Sequence, residues 1–123
     1  KRDWSDAEDF VHGIWLMLNQ DLDFPKEYVL ASGETYTIRE FVEAAFGFAG
    51  FGSDQCYWVG EHSESKYYHG DQLIVQVNPK YYRPAEVSLL LGDPSLAEKE
   101  LGWERKTDFL GLVKKMVDND ISL

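Results

Sequence analysis

The residues of this chain best suited to hold a charged ligand lie in Tyr82-Arg83-Pro84-Ala85-Glu86-Val87. Proline holds the residue before it in an extended conformation, so Arg83 projects from a stiff turn. Its planar guanidinium is a fork that can take two phosphate oxygens by parallel charge-assisted bonds. Glu86 can accept hydrogen bonds from two adjacent hydroxyls, as on a ribose, and the two residues together suit a nucleotide. Arg2, in Arg2-Asp3-Trp4, is a second candidate. The same spacing equally allows a surface Arg83–Glu86 ion pair worth at most ~1 kcal/mol. Spacing by itself leaves both open.

Other chemistries find little support. His12, His62, His69 and Cys56 lack metal-ligand spacing, and no Gly-x-Ser-x-Gly motif is present. The single cysteine has no internal disulfide partner, which makes a reducing, cytoplasmic setting the default expectation. Asp3, Asp6, Glu8 and Asp9 crowd the start of a helical pattern, where carboxylates favourably face the positive end of a helix dipole. Twelve Lys and Arg against 22 Asp and Glu leave a net charge of −10, which argues against a nucleic-acid or anionic-membrane surface. The longest apolar run, Ile14 to Leu18, is far short of the ~20 residues of a membrane span. At 123 residues with 44% hydrophobic content, the chain fits one domain with its own core.

The elements that must position these residues follow from local signals. Ser5 and Glu8 have capping-box spacing ahead of a helix running to about Gln20. Phe10, Val11, Ile14, Trp15, Leu16, Met17 and Leu18 cover more than one stripe of it, which predicts burial on two sides. Asp21 to Pro25 is a turn by composition, and Glu27 to Ala31 reads as a short buried strand of the parallel-sheet kind. Thr37 and Glu40 form a second capping box, with Tyr36 and Phe41 placed as a hydrophobic staple. Gly47, Gly50 and Gly52 follow that helix and mark its end; a dinucleotide-binding turn would follow a strand.

Cys56 to Val59 and Leu73 to Val77 read as strands of a hairpin-like excursion, and Val87 to Leu91 as another short strand. Asp93 and Pro94 open a short helix that Gly102 ends, with Trp103 plugging a core beside it. The last helix starts near Thr107 or Asp108. Phe109, Leu112, Val113, Met116 and Val117 form its apolar stripe, with Lys114 and Lys115 facing water. The sum is a small mixed α/β unit of helices with few short strands.

At these residues the chain resembles the GDP-mannose 4,6-dehydratases, a family of extended short-chain dehydrogenase/reductases. The matching stretches are Arg2-Asp3-Trp4, Asp9-Phe10-Val11, Trp15 to Leu18, Ala31 to Thr35, Ile38 to Glu43, Tyr81 to Val87, Leu91-Gly92-Asp93 and Leu101-Gly102-Trp103. Ser5, Asp6 and Ser88 stand where the family usually has Gly, His and Asp. The resemblance is to the C-terminal portion. It implies that residues 1–123 form a single substrate-binding C-terminal domain, with the N-terminal Rossmann part lying outside this chain.

By the same resemblance, the complete enzyme is a lyase that uses NADP to convert GDP-mannose to GDP-4-keto-6-deoxy-mannose, a precursor of GDP-fucose. The family's glycine turn, its catalytic Thr and Glu, and its Tyr-x-x-x-Lys pair belong to the Rossmann part. No tyrosine here has lysine four residues on. The resemblance therefore implies that this chain alone is inactive and holds no NADP. It places Arg2 and Arg83 at the nucleotide diphosphate and Glu86 at the ribose. Self-association, or cover by the Rossmann half, is the expected fate of the apolar first helix. Two other readings stay open: part of another nucleotide-sugar epimerase or dehydratase, and a non-catalytic interaction module.

Overall fold

The computed structural model describes residues 1–21 and 26–123. Among them are four α-helices, α1 (Ala7–Leu18), α2 (Ile38–Phe48), α3 (Ser95–Leu101) and α4 (Phe109–Ser122), and three strands, β1 (Cys56–Val59), β2 (Lys66–His69) and β3 (Gln72–Gln76). The strands form one antiparallel sheet in the order β1-β2-β3. The expected mixed α/β unit is therefore present, and the hairpin-like excursion is a three-stranded meander. Its middle strand lies in the polar stretch between the two predicted strands, with Tyr67 opposite Trp58 and Val75.

The helices start where short-range chemistry stops orphan N–H groups from going unpaired. Thr37 and Glu40 form the reciprocal capping box of α2, as its spacing predicted. Asp108 caps α4 through the N–H of Gly111, and Asp93 accepts from the N–H of Ser95 at the start of α3. In α1 the cap is Asp6, accepting from the N–H of Glu8, and Ser5 instead hydrogen-bonds to Asp3. The carboxylate reaches the first-turn N–H and is held there by Lys115 of α4, 2.9 Å away. Lys115 thus leans onto the start of α1, where it also meets Glu8.

The core is small and largely aromatic. Tyr36 stacks on Phe109 with ring centroids 3.9 Å apart, and Phe41 packs against both Trp4 and Phe109. The staple expected between Tyr36 and Phe41 is thus bridged by Phe109, which fills the space where the two would meet. Trp103, only 1% exposed, does plug the core and donates to the carbonyl of Asp9. The meander is fastened to α2 by Arg39, which lies over the Trp58 ring and donates to Gly60 and Ser65, and by the Trp58 indole N–H, which donates to Glu43.

Three expectations are corrected. Residues 27–31 and 87–91 are not strands, because no neighbouring segment offers them a ladder among the described residues. Helix α1 is not buried on two sides: Trp15 and Leu18 are 58% and 78% exposed, and its buried residues are Asp9 and Gly13. Its apolar periodicity is real, but in this chain one side has nothing packed on it. The helix also stops at Leu18, short of Gln20. The turn expected at Asp21 to Pro25 falls mainly on residues 22–25, outside the described residues.

Two outcomes follow. Phe109→Ala removes the ring shared by Trp4, Tyr36 and Phe41 and should cost about 3–5 kcal/mol in urea denaturation. Acid should destabilise the fold through Asp6, whose carboxyl is held below its ordinary value by Lys115 and then by the N–H of Glu8, against the effect of burial. A depressed folded value means its stabilisation is complete above the unfolded value near ~4 and is lost as pH falls through the folded one. Asp6→Asn, which can still cap, should flatten that part of the stability–pH curve.

Candidate functional site

The N-terminal arm runs between two segments of chain. On one side Arg2 exchanges both backbone hydrogen bonds with Tyr36, each 3.0 Å. On the other, the N–H of Leu90 donates to the carbonyl of Lys1. This lays Arg2 beside the loop that carries Arg83 and Glu86, and the three predicted site residues come together although they are far apart in sequence.

Glu86 is the meeting point. Its Oε1 lies 3.1 Å from Nη2 of Arg2, and its Oε2 lies 3.9 Å from Nη1 of Arg83. The two arginines are engaged differently. Nη1 of Arg2 donates to the carbonyls of Lys1 and Val87, at 2.9 and 2.8 Å, so this guanidinium ties the loop to the arm. Arg83 has its side chain 81% exposed and, among the described residues, only the long contact to Glu86, so its fork is open to a ligand. Beside Glu86 is a shallow cleft of about 230 Å³, lined by Arg2, Tyr36, Ile38, Val87 and Ser88. Burial and the Glu34 carboxylate raise the Tyr36 phenol above its ordinary value.

Asp3, Tyr36, Ile38 and Val87 were not singled out for the site by their sequence. Asp3 was read with the other acids as facing a helix end, but it accepts the N–H groups of Ser32, Gly33 and Gly92. The turn residues Ser32-Gly33 and the isolated Gly92 were the available signal, since such positions expose N–H groups that need an acceptor. Elsewhere, burial and then the Cys56 thiol push the Tyr67 phenol up to about 12, which unfits it for proton transfer at neutral pH. Gly47 lies within the last turn of α2, and Gly50 and Gly52 follow that helix instead of joining a strand to a helix, so they do not fit the pyrophosphate turn of a dinucleotide. No group of three metal-ligating side chains occurs among the described residues, and no helix there is long and apolar enough to cross a membrane.

The different engagement of the two arginines predicts different effects on stability. Arg2→Ala removes charge-assisted bonds to Val87 and Glu86 and should cost about 1.5–3 kcal/mol. Arg83→Ala, at an exposed position, should stay within about 0.5 kcal/mol in the same denaturation experiment.

A family model described as GDP-mannose 4,6 dehydratase matches residues 1–116. A protein of that name from Dictyostelium discoideum is 45% identical over 123 residues, covering 98% of this chain and 33% of the relative. The one from Drosophila melanogaster is 44% identical, covering 100% and 30%. The one from Homo sapiens is 39% identical, covering 100% and 32%. The chain thus spans about a third of the length of these relatives.

Proposed function

The chain belongs to the GDP-mannose 4,6 dehydratase family, and from that premise we propose that residues 1–123 are the substrate-binding C-terminal domain of such an enzyme. The complete enzyme would act as a lyase on GDP-mannose, giving GDP-4-keto-6-deoxy-mannose for GDP-fucose formation in the cytoplasm. Its NADP would be held by an N-terminal Rossmann part outside this chain. We assign Arg83 to the diphosphate, Glu86 to the ribose hydroxyls, and Arg2 to holding Glu86 in place while adding positive charge.

The observation that carries this proposal is the convergence of Arg2 and Arg83 on one carboxylate at the edge of a cleft. In a chain of net charge −10 a diphosphate meets no general attraction, so binding falls to a few placed cations. Glu86 keeps the two guanidinium groups from repelling each other, and its remaining lone pairs can face ribose hydroxyls. The exposed Ile38 and Val87 beside it give an apolar wall. At about 230 Å³ the cleft is smaller than the ~300–1,000 Å³ usual for a complete ligand site, so it suits part of a nucleotide sugar. The rest of the ligand would rest on residues outside this chain.

The first helix bears on what this domain packs against. Val11, Ile14, Trp15 and Leu18 leave the outer side of α1 apolar and exposed. We assign that side first to the remainder of the enzyme and, in its absence, to self-association. The isolated chain should sediment with concentration-dependent mass and bind hydrophobic dye. A dye-silent monomer at all concentrations would oppose this.

Nucleotide binding is tested by calorimetric titration of GDP into the full-length protein. Arg83→Lys keeps the charge and loses the fork, and should weaken binding about ten- to a hundredfold. Glu86→Gln, which still offers one acceptor, should weaken GDP less than Arg83→Ala does. Unchanged affinity in both Arg83 variants would reduce Arg83 and Glu86 to a surface ion pair.

A further inference from the structure

Asp3 is a half-buried carboxylate to which the proposed binding scheme gives no part. Its Oδ1 lies 2.8 Å from the N–H nitrogen of Ser32, and its Oδ2 lies 3.0 and 3.4 Å from those of Gly33 and Gly92. Ser32-Gly33 leads directly into Tyr36 and Ile38, one wall of the cleft. Gly92 ends the loop of Glu86, Val87 and Ser88, the opposite wall. One side chain on the arm between them therefore holds both. The crossing is close: a Cβ on Gly92 would fall 2.3 Å from Cβ of Ala31. Only a bare backbone brings that loop near enough to share the carboxylate.

We propose that Asp3 is a positioning residue for the anion site, fixing the separation of its two walls and so the clasp of Arg2 on Val87 and Glu86. This deepens the nucleotide-binding proposal and rests on it. Only an ionised carboxylate satisfies this set of donors. Two acceptor oxygens face N–H groups on both sides, whereas an asparagine amide would turn its own N–H₂ toward one of them. Against the effect of burial, the N–H and hydroxyl of Ser32 and the N–H groups of Gly33 and Gly92 hold the Asp3 carboxyl below its ordinary value. Asp9 is the natural comparison. Its carboxylate also takes two backbone N–H groups, of Lys106 and Thr107, but neither segment lines the cleft.

The test compares Asp3→Asn with Asp9→Asn in the full-length protein, reading GDP affinity, melting temperature and the exchange of guanidinium protons of Arg2 by NMR with arginine labelled. Both variants should melt lower. Asp3→Asn alone should weaken GDP about ten- to a hundredfold, as expected for misplaced binding groups, and should expose the Arg2 guanidinium to exchange. GDP affinity within about twofold of the parent in Asp3→Asn, or an equal loss in Asp9→Asn, would overturn the proposal. If the parent protein itself fails to bind GDP, the nucleotide assignment falls. The positioning role is then decided by exchange alone, and unchanged protection of Arg2 in Asp3→Asn overturns it too.

Discussion

The structure depends on carboxylates of the N-terminal arm reaching backbone N–H groups from distant parts of the chain. Asp3 takes those of Ser32, Gly33 and Gly92, and Asp9 those of Lys106 and Thr107, while Asp6 caps α1 and pairs with Lys115 of α4. Loops and helix starts carry N–H groups that a small core cannot pair by regular structure, and each one left unpaired on burial costs about 1–3 kcal/mol. The spacing Asp3, Asp6, Asp9 lets one short segment serve several such places at once. The hydrophobic contribution is concentrated beside it, where Trp103, Phe109 and Val113 are buried.

That arrangement determines what the arm can present. With Asp3 holding the loop at Gly92, Arg2 spends its donors further along the same loop, on Val87 and Glu86, and on Lys1 of the arm. Glu86 is left with one tightly bound arginine and one loosely bound one. The division of labour between a guanidinium that builds the site and another that faces solvent is thus a consequence of backbone pairing. The meander, fastened to α2 through Arg39 and Trp58, delivers the chain into the loop from the other direction.

Much of the fold was legible because its signals are local. The Thr37–Glu40 box, the end at Gly102 and the stripe of α4 all act within one turn of helix, and all appear, while α3 opens one residue later than expected, at Ser95 with Pro94 in the cap position and Asp93 accepting from the Ser95 N–H. What was misread depends on partners. Glu27 to Ala31 and Val87 to Leu91 have strand composition, yet a strand exists only beside another. The apolar residues of α1 predict that something covers them, not that the cover lies in this chain. Strand β2 was hidden because Lys66-Tyr67-Tyr68-His69 is polar on one face and buries only Tyr67 on the other. For the candidate site, Arg2, Arg83 and Glu86 stood out by residue type, and the fold brings them together. Asp3 did not stand out, because a helix dipole explained an acid there locally, and its real partners lie 29 to 89 positions away.

The central claim is that the loop of Arg83 and Glu86, held against Arg2, is where the nucleotide diphosphate of the complete enzyme binds. A crystal structure of the full-length protein with GDP tests it most directly. The account predicts diphosphate oxygens on the Arg83 guanidinium, ribose hydroxyls on Glu86, and the Arg2 bonds to Val87 and Glu86 intact. GDP ordered elsewhere, with Arg83 paired only to Glu86 and open to solvent, would contradict it.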